Sequence, residues 1–73
     1  MLNQGDILTL NNYKKYTVVY TIVFQSKNYV YLIDQEDYTN TMFCEYDDKD
    51  ELKEVIDPEM IEQFMMQIKE QNS

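Results

Sequence analysis

Over most of the chain, apolar residues come in short runs broken by polar clusters. Only near the end do they take up a three-and-four spacing. Short runs rich in β-branched and aromatic residues predict strands, and the three-and-four spacing predicts an amphipathic helix. Ile7-Leu8-Thr9-Leu10 follows the turn pair Gly5-Asp6 and reads as a short strand. Asn11-Asn12 reads as a turn, because asparagine tolerates a left-handed backbone and hydrogen-bonds locally. Tyr16 to Phe24 is the clearest strand, since every residue in it is β-branched or aromatic. Strict alternation places Val18, Tyr20, Ile22 and Phe24 on one face, and Thr17, Val19, Thr21 and Val23 on the other. Both faces are partly apolar, which predicts a central strand covered on each side. After the polar break Gln25-Ser26-Lys27-Asn28, Tyr29 to Ile33 forms a second strong strand, and the short break predicts an antiparallel hairpin.

Asp34-Gln35-Glu36-Asp37 is a polar loop, and Thr39 to Tyr46 is a further strand with Met42, Cys44 and Tyr46 on one side. Asp47-Asp48-Lys49-Asp50 is a charged turn. Glu51-Leu52-Lys53-Glu54-Val55 alternates and is expected to pair back as a fifth strand. The helix, about 57–70, begins at Asp57-Pro58: an N-cap carboxylate, then a proline at the first helical position, where no N–H is needed. Ile61, Phe64, Met65 and Ile68 make its apolar stripe, expected to bury against Val18, Ile22, Val30 and Leu32. Gln71-Asn72-Ser73 is expected to fray. The expected fold is α+β: one domain over residues 1–73, an antiparallel meander of four or five strands, bent or barrel-like, closed by one C-terminal amphipathic helix.

Composition narrows the chemistry. The 73 residues carry 14 acids against six lysines and no arginine, for a net charge of −8. Binding to phosphate backbones relies on cations that displace counterions, so nucleic acid is an unfavourable partner, and an anionic membrane surface is unfavourable for the same reason. Tyr16 to Phe24 is too short to span a bilayer as a helix, and the first residues lack the basic and apolar segments of a signal peptide. One cysteine allows no internal disulfide, and without histidine a structural zinc site has no usual ligand set. A free thiol with no export signal points to the cytoplasm. Alanine, arginine, histidine and tryptophan are absent while Asn, Lys, Ile and Tyr abound, which suits an A/T-rich bacterial or phage genome.

Each candidate chemistry has a plainer alternative. Cys44 has no histidine to activate it, and its position in a strand pattern favours a buried core residue. The acids from Glu45 to Glu54 include the alternate spacing Asp48, Asp50 found in calcium loops. The glycine such a loop needs at its sharp turn is missing, so a solvated turn is favoured. No catalytic group, metal or cofactor is expected. Seven tyrosines on a sheet could stack bases in a small RNA-binding barrel, but the charge favours a protein-binding face. Met60 and Met66 flank the helix stripe and exceed what one face can bury.

The Gly-Asp start, Tyr16-Thr17-Val18-Val19-Tyr20, Tyr29-Val30-Tyr31-Leu32-Ile33, the acidic stretch, Phe43-Cys44-Glu45-Tyr46 and the Asp57-Pro58-Glu59 helix start together resemble the small acidic YrzB-type proteins of uncharacterised function. The likeness covers residues 16–70 and rests on pattern and acidity. It implies a fold class and no activity. The opening Gly5 to Leu10 with Tyr16 to Val19 also resembles the start of a small SH3-like barrel. The leading functional expectation is a non-enzymatic protein-interaction module that binds a second copy of itself or a basic protein. Its expected contact residues are Asp47, Asp48, Asp50, Glu51, Glu54, Tyr29, Tyr31, Met60 and Met66. The alternatives are an acidic nucleic-acid mimic that inhibits a DNA- or RNA-binding protein, and a small-barrel RNA binder.

Overall fold

The computed structural model describes residues 2–49 and 51–71. Five strands run β1 (Ile7–Thr9), β2 (Lys15–Phe24), β3 (Lys27–Asp34), β4 (Thr41–Tyr46) and β5 (Leu52–Glu54), followed by helix α1 (Pro58–Gln71). They form one antiparallel meander in the order β1-β2-β3-β4-β5, curled into a half-barrel. The expected hairpin is present. Phe24 pairs with Lys27 across a turn made by Gln25 and Ser26, whose φ angles are 52° and 65°. Positive φ at both central residues is the tight hairpin turn whose twist matches that of the strands. In the β1–β2 turn the left-handed residue is Tyr13, with φ 62°, rather than an asparagine. Asn12 acts through its side chain, which accepts the Lys14 N–H at 3.0 Å.

The alternation expected along β2 breaks at Val19. Val18 pairs with Leu32, but Tyr20 pairs with Tyr31, so Val19 is an extra residue in the ladder. A bulge of this kind turns every later side chain to the opposite face. Val18 therefore parts company with Tyr20, Ile22 and Phe24, and two separate apolar clusters result. On the concave face Tyr16, Val18, Val30, Leu32, Cys44 and Tyr46 are buried, with Leu8, Leu10, Met42 and Leu52 packed around them. On the convex face Ile22, Tyr29, Phe43 and Phe64 are buried, with Phe24, Val55, Ile61 and Ile68 alongside.

Helix α1 covers the convex face only. Asp57 caps it as expected: its carboxylate accepts the Glu59 N–H at 3.0 Å, and its carbonyl accepts the Ile61 N–H at 3.0 Å. Phe64 is fully buried among three rings, with centroids 4.6 Å from Tyr29, 5.3 Å from Phe43 and 5.7 Å from Phe24. Of the strand residues expected beneath the helix, Ile22 is there, whereas Val18, Val30 and Leu32 lie on the other face because of the bulge. Met65 stays 48% exposed, and Met60 packs against the cluster in its place. Among the described residues no helix is long and apolar enough to cross a membrane.

A buried polar knot closes one end of the half-barrel. Asp34, 1% exposed, ends β3. Its carboxylate accepts the Glu36 N–H at 2.9 Å and the Asn40 side-chain amide at 3.1 Å, with the Lys14 ammonium 3.6 Å away. The same Asn40 amide donates to the Tyr16 hydroxyl at 3.3 Å. Among the described residues no buried side-chain nitrogen or oxygen is left without a partner, as a polar group shut off from water requires.

Candidate functional site

A concavity lies where the sheet stops short of closing. An odd-numbered antiparallel meander brings its first and last strands to the gap running in the same direction, and β1 and β5 are not paired with each other. Between them runs a groove of about 600 Å³, within the range of clefts that hold ligands, about 300–1,000 Å³. Its apolar lining comes from Leu10, Met42, Cys44 and Leu52, and is continuous with the concave core. Thr9, Asn11 and Asn12 line the β1 side, and Glu51 and Glu54 the β5 side. Among the described residues the lining thus holds two carboxylates and no lysine.

The ladder shows where the strand edges face. Val18 N–H donates to Asp6 C=O at 2.8 Å, and Leu10 N–H donates to Lys14 C=O at 3.1 Å. In an antiparallel pair alternate residues bond inward, so Leu8 bonds to β2 while Ile7 and Thr9 turn their backbone groups to the open side. Likewise Val55 N–H donates to Phe43 C=O at 2.8 Å, so Lys53 bonds to β4 and the backbone groups of Leu52 and Glu54 face outward. The groove is therefore flanked by two open strand edges.

Cys44 sits in the groove wall, 2% exposed, opposite Glu54 in the ladder. Burial, with the Glu54 carboxylate adding repulsion, pushes its thiol from 9.0 up to about 11. A thiol so protonated at neutral pH is a poor nucleophile and packs as a small apolar side chain.

The expected contact residues divide. Glu51 and Glu54 meet at the groove. Asp47 is exposed, but one oxygen of its carboxylate already accepts the Lys49 N–H at 2.9 Å and the Glu51 N–H at 3.1 Å, holding the turn before β5. Asp48 is exposed in that turn, and Asp50 lies outside the described residues. Tyr29 is 3% exposed beneath Phe64, so its ring serves the core and is not offered to a partner. Tyr31 is half-buried, stacked on Phe43 at 4.6 Å with Tyr20 on its other side at 6.5 Å. Met60 is half-buried, and Met66, 53% exposed, stands on the helix away from the groove lining. Sequence reasoning missed Thr9, Leu10, Met42 and Leu52 as site residues. Each reads as an ordinary strand position until the two ends of the sheet are brought together. Among the described residues no three His, Cys, Asp or Glu side chains gather as a metal site. Comparison with protein-family models, curated proteins and solved structures finds no match for this chain.

Proposed function

We propose that the chain is a non-enzymatic protein-interaction module that takes a basic partner at the seam between β1 and β5. The observation that carries this reading is the groove itself: an apolar floor, a lining that among the described residues holds two carboxylates and no cation, and a strand edge on each side. Apolar floors supply affinity, and rim charges select and steer the partner. The protonated, recessed Cys44 favours binding over covalent chemistry at this place. The free thiol fits a reducing compartment, so we assign the module to the cytoplasm.

A photo-cross-linking phenylalanine analogue in place of Glu54 tests the reading in cell extract, with the same analogue in place of Met66 as control. The expected result is a discrete protein adduct from position 54 alone, fading as salt rises from about 0.05 to 0.5 M because the rim contact is electrostatic. Equal labelling from both positions, or labelling of RNA rather than protein, would sink it. An adduct to a DNA- or RNA-binding protein through that protein's nucleic-acid site would select the mimic variant of the reading.

A further inference from the structure

We infer that the partner enters the seam as a sixth β-strand, antiparallel to both β1 and β5, and so closes the half-barrel. This rests on the proposed binding function and specifies its geometry. The topology sets the direction. β1 and β5 run parallel to each other across the gap, so one added strand can be antiparallel to both, which gives six strands alternating around the ring. The ladder supplies the hydrogen-bonding groups: Ile7 and Thr9 on one side, Leu52 and Glu54 on the other, face the space an added strand would fill. An edge so placed is a template for strand addition, in which backbone bonds give affinity and alternate side chains give specificity.

Side-chain chemistry identifies the occupant. Alternate residues of an inserted strand point inward, onto the apolar wall formed by Leu10, Met42, Cys44 and Leu52. Glu54 shares the Leu52 face of β5, opposite Cys44, so its carboxylate stands beside that wall, with Glu51 just before the strand. The fitting segment therefore turns apolar residues toward the wall and a lysine or arginine toward Glu54 and Glu51. A second copy of this chain fits less well, since each copy carries −8 and would bring acid to acid.

The probe is a fluorescein-labelled strand peptide that alternates valine with threonine and carries lysine at the one inward position beside Glu54, titrated into the intact protein and followed by anisotropy and by amide hydrogen exchange. Saturable binding is expected. At free peptide ten times its Kd, exchange at the Thr9 and Glu54 amides should slow about tenfold, because bound molecules shield them in a ladder. The same peptide N-methylated at its valines keeps charge and side chains but loses backbone donors, and it should not bind. Thr9→Pro removes one edge donor without touching the β1–β2 ladder, because proline is tolerated on edge strands. That substitution should weaken binding while leaving the circular dichroism spectrum intact. The exposed pair E51K/E54K gives a second route should the proline variant fail to fold, and should abolish binding of the lysine peptide.

Equal binding of the N-methylated peptide, or unchanged Thr9 and Glu54 exchange in the complex, overturns the strand mode and leaves the groove reading standing. No binding of the lysine peptide, together with no adduct from position 54, removes both. Protection of the same amides by concentrated protein alone assigns the seam to a second copy and overturns the basic-partner proposal.

Discussion

Asp34 and Cys44 are both buried, and each is held in one protonation state by different means. The Asp34 carboxyl lies below its usual 3.8, chiefly through the Glu36 N–H and then the Asn40 amide, with Lys14 helping against burial. Asp37 is lowered in the same sense by the Thr39 hydroxyl and N–H. The unfolded chain takes up protons at these carboxyls first. Their stabilisation is complete above pH 3.8 and is lost as pH falls through the lower native values. Asp34→Asn should flatten the acid limb of the stability curve, read by circular dichroism melts across that range. Cys44 works in the opposite direction. Below 9.0 its neutral thiol costs nothing, and as pH climbs toward about 11 the unfolded chain ionises first and stability falls. Cys44→Val should remove that alkaline slope. A thiol moved from 9.0 to about 11 holds roughly a hundredfold less thiolate at neutral pH. A thiol reagent should therefore label the native protein at least that much more slowly than the unfolded chain.

Turns and the bulge decide how the elements meet. Gln25-Ser26 adopts a turn that asparagine-glycine would fill with less strain, since both φ values are positive. Replacing the pair by Asn-Gly should stabilise the fold by about 0.5–1 kcal/mol, measured by urea melts with an unchanged m-value. The hairpin was legible from sequence because its contacts are local. The bulge was not: nothing in Tyr16 to Phe24 marks Val19, and only the register against β3 shows that it is surplus. Deleting Val19 should give a regular ladder that keeps Val18 and Ile22 on opposite faces, because the two would then stand three positions apart. The two clusters then keep their separation, and the shortened chain should still melt cooperatively by circular dichroism. Phe64 anchors the helix to three rings, so Phe64→Ala should cost about 3–5 kcal/mol, comparable to the whole stability of a domain this small. A melting point within a degree or two of the parent would show that the helix does not dock there.

The whole molecule is a half-barrel carrying −8 within a radius of gyration of 11.7 Å. Concentrated like charge opposes the compact state, and salt screens it over about 10 Å at 0.1 M. The melting temperature should therefore rise with added sodium chloride at neutral pH, most steeply at low ionic strength. E51K/E54K lowers the negative charge and should reduce that salt dependence without lowering stability, as both residues are exposed.

The strands, the capped helix and their order are written in the sequence, because residue type, turn chemistry and an N-cap act between neighbours a few positions apart. Glu51 and Glu54 were legible as candidate contacts from charge alone. Tyr29 was misplaced, because an aromatic on a strand has the same signature whether its face meets solvent or a helix. The face each side chain occupies after Val19, the choice of Met60 over Met65 to pack, and the groove between β1 and β5 were decided only in three dimensions. All three depend on register and curvature, which arise when strands far apart in the chain are bonded and twisted against one another.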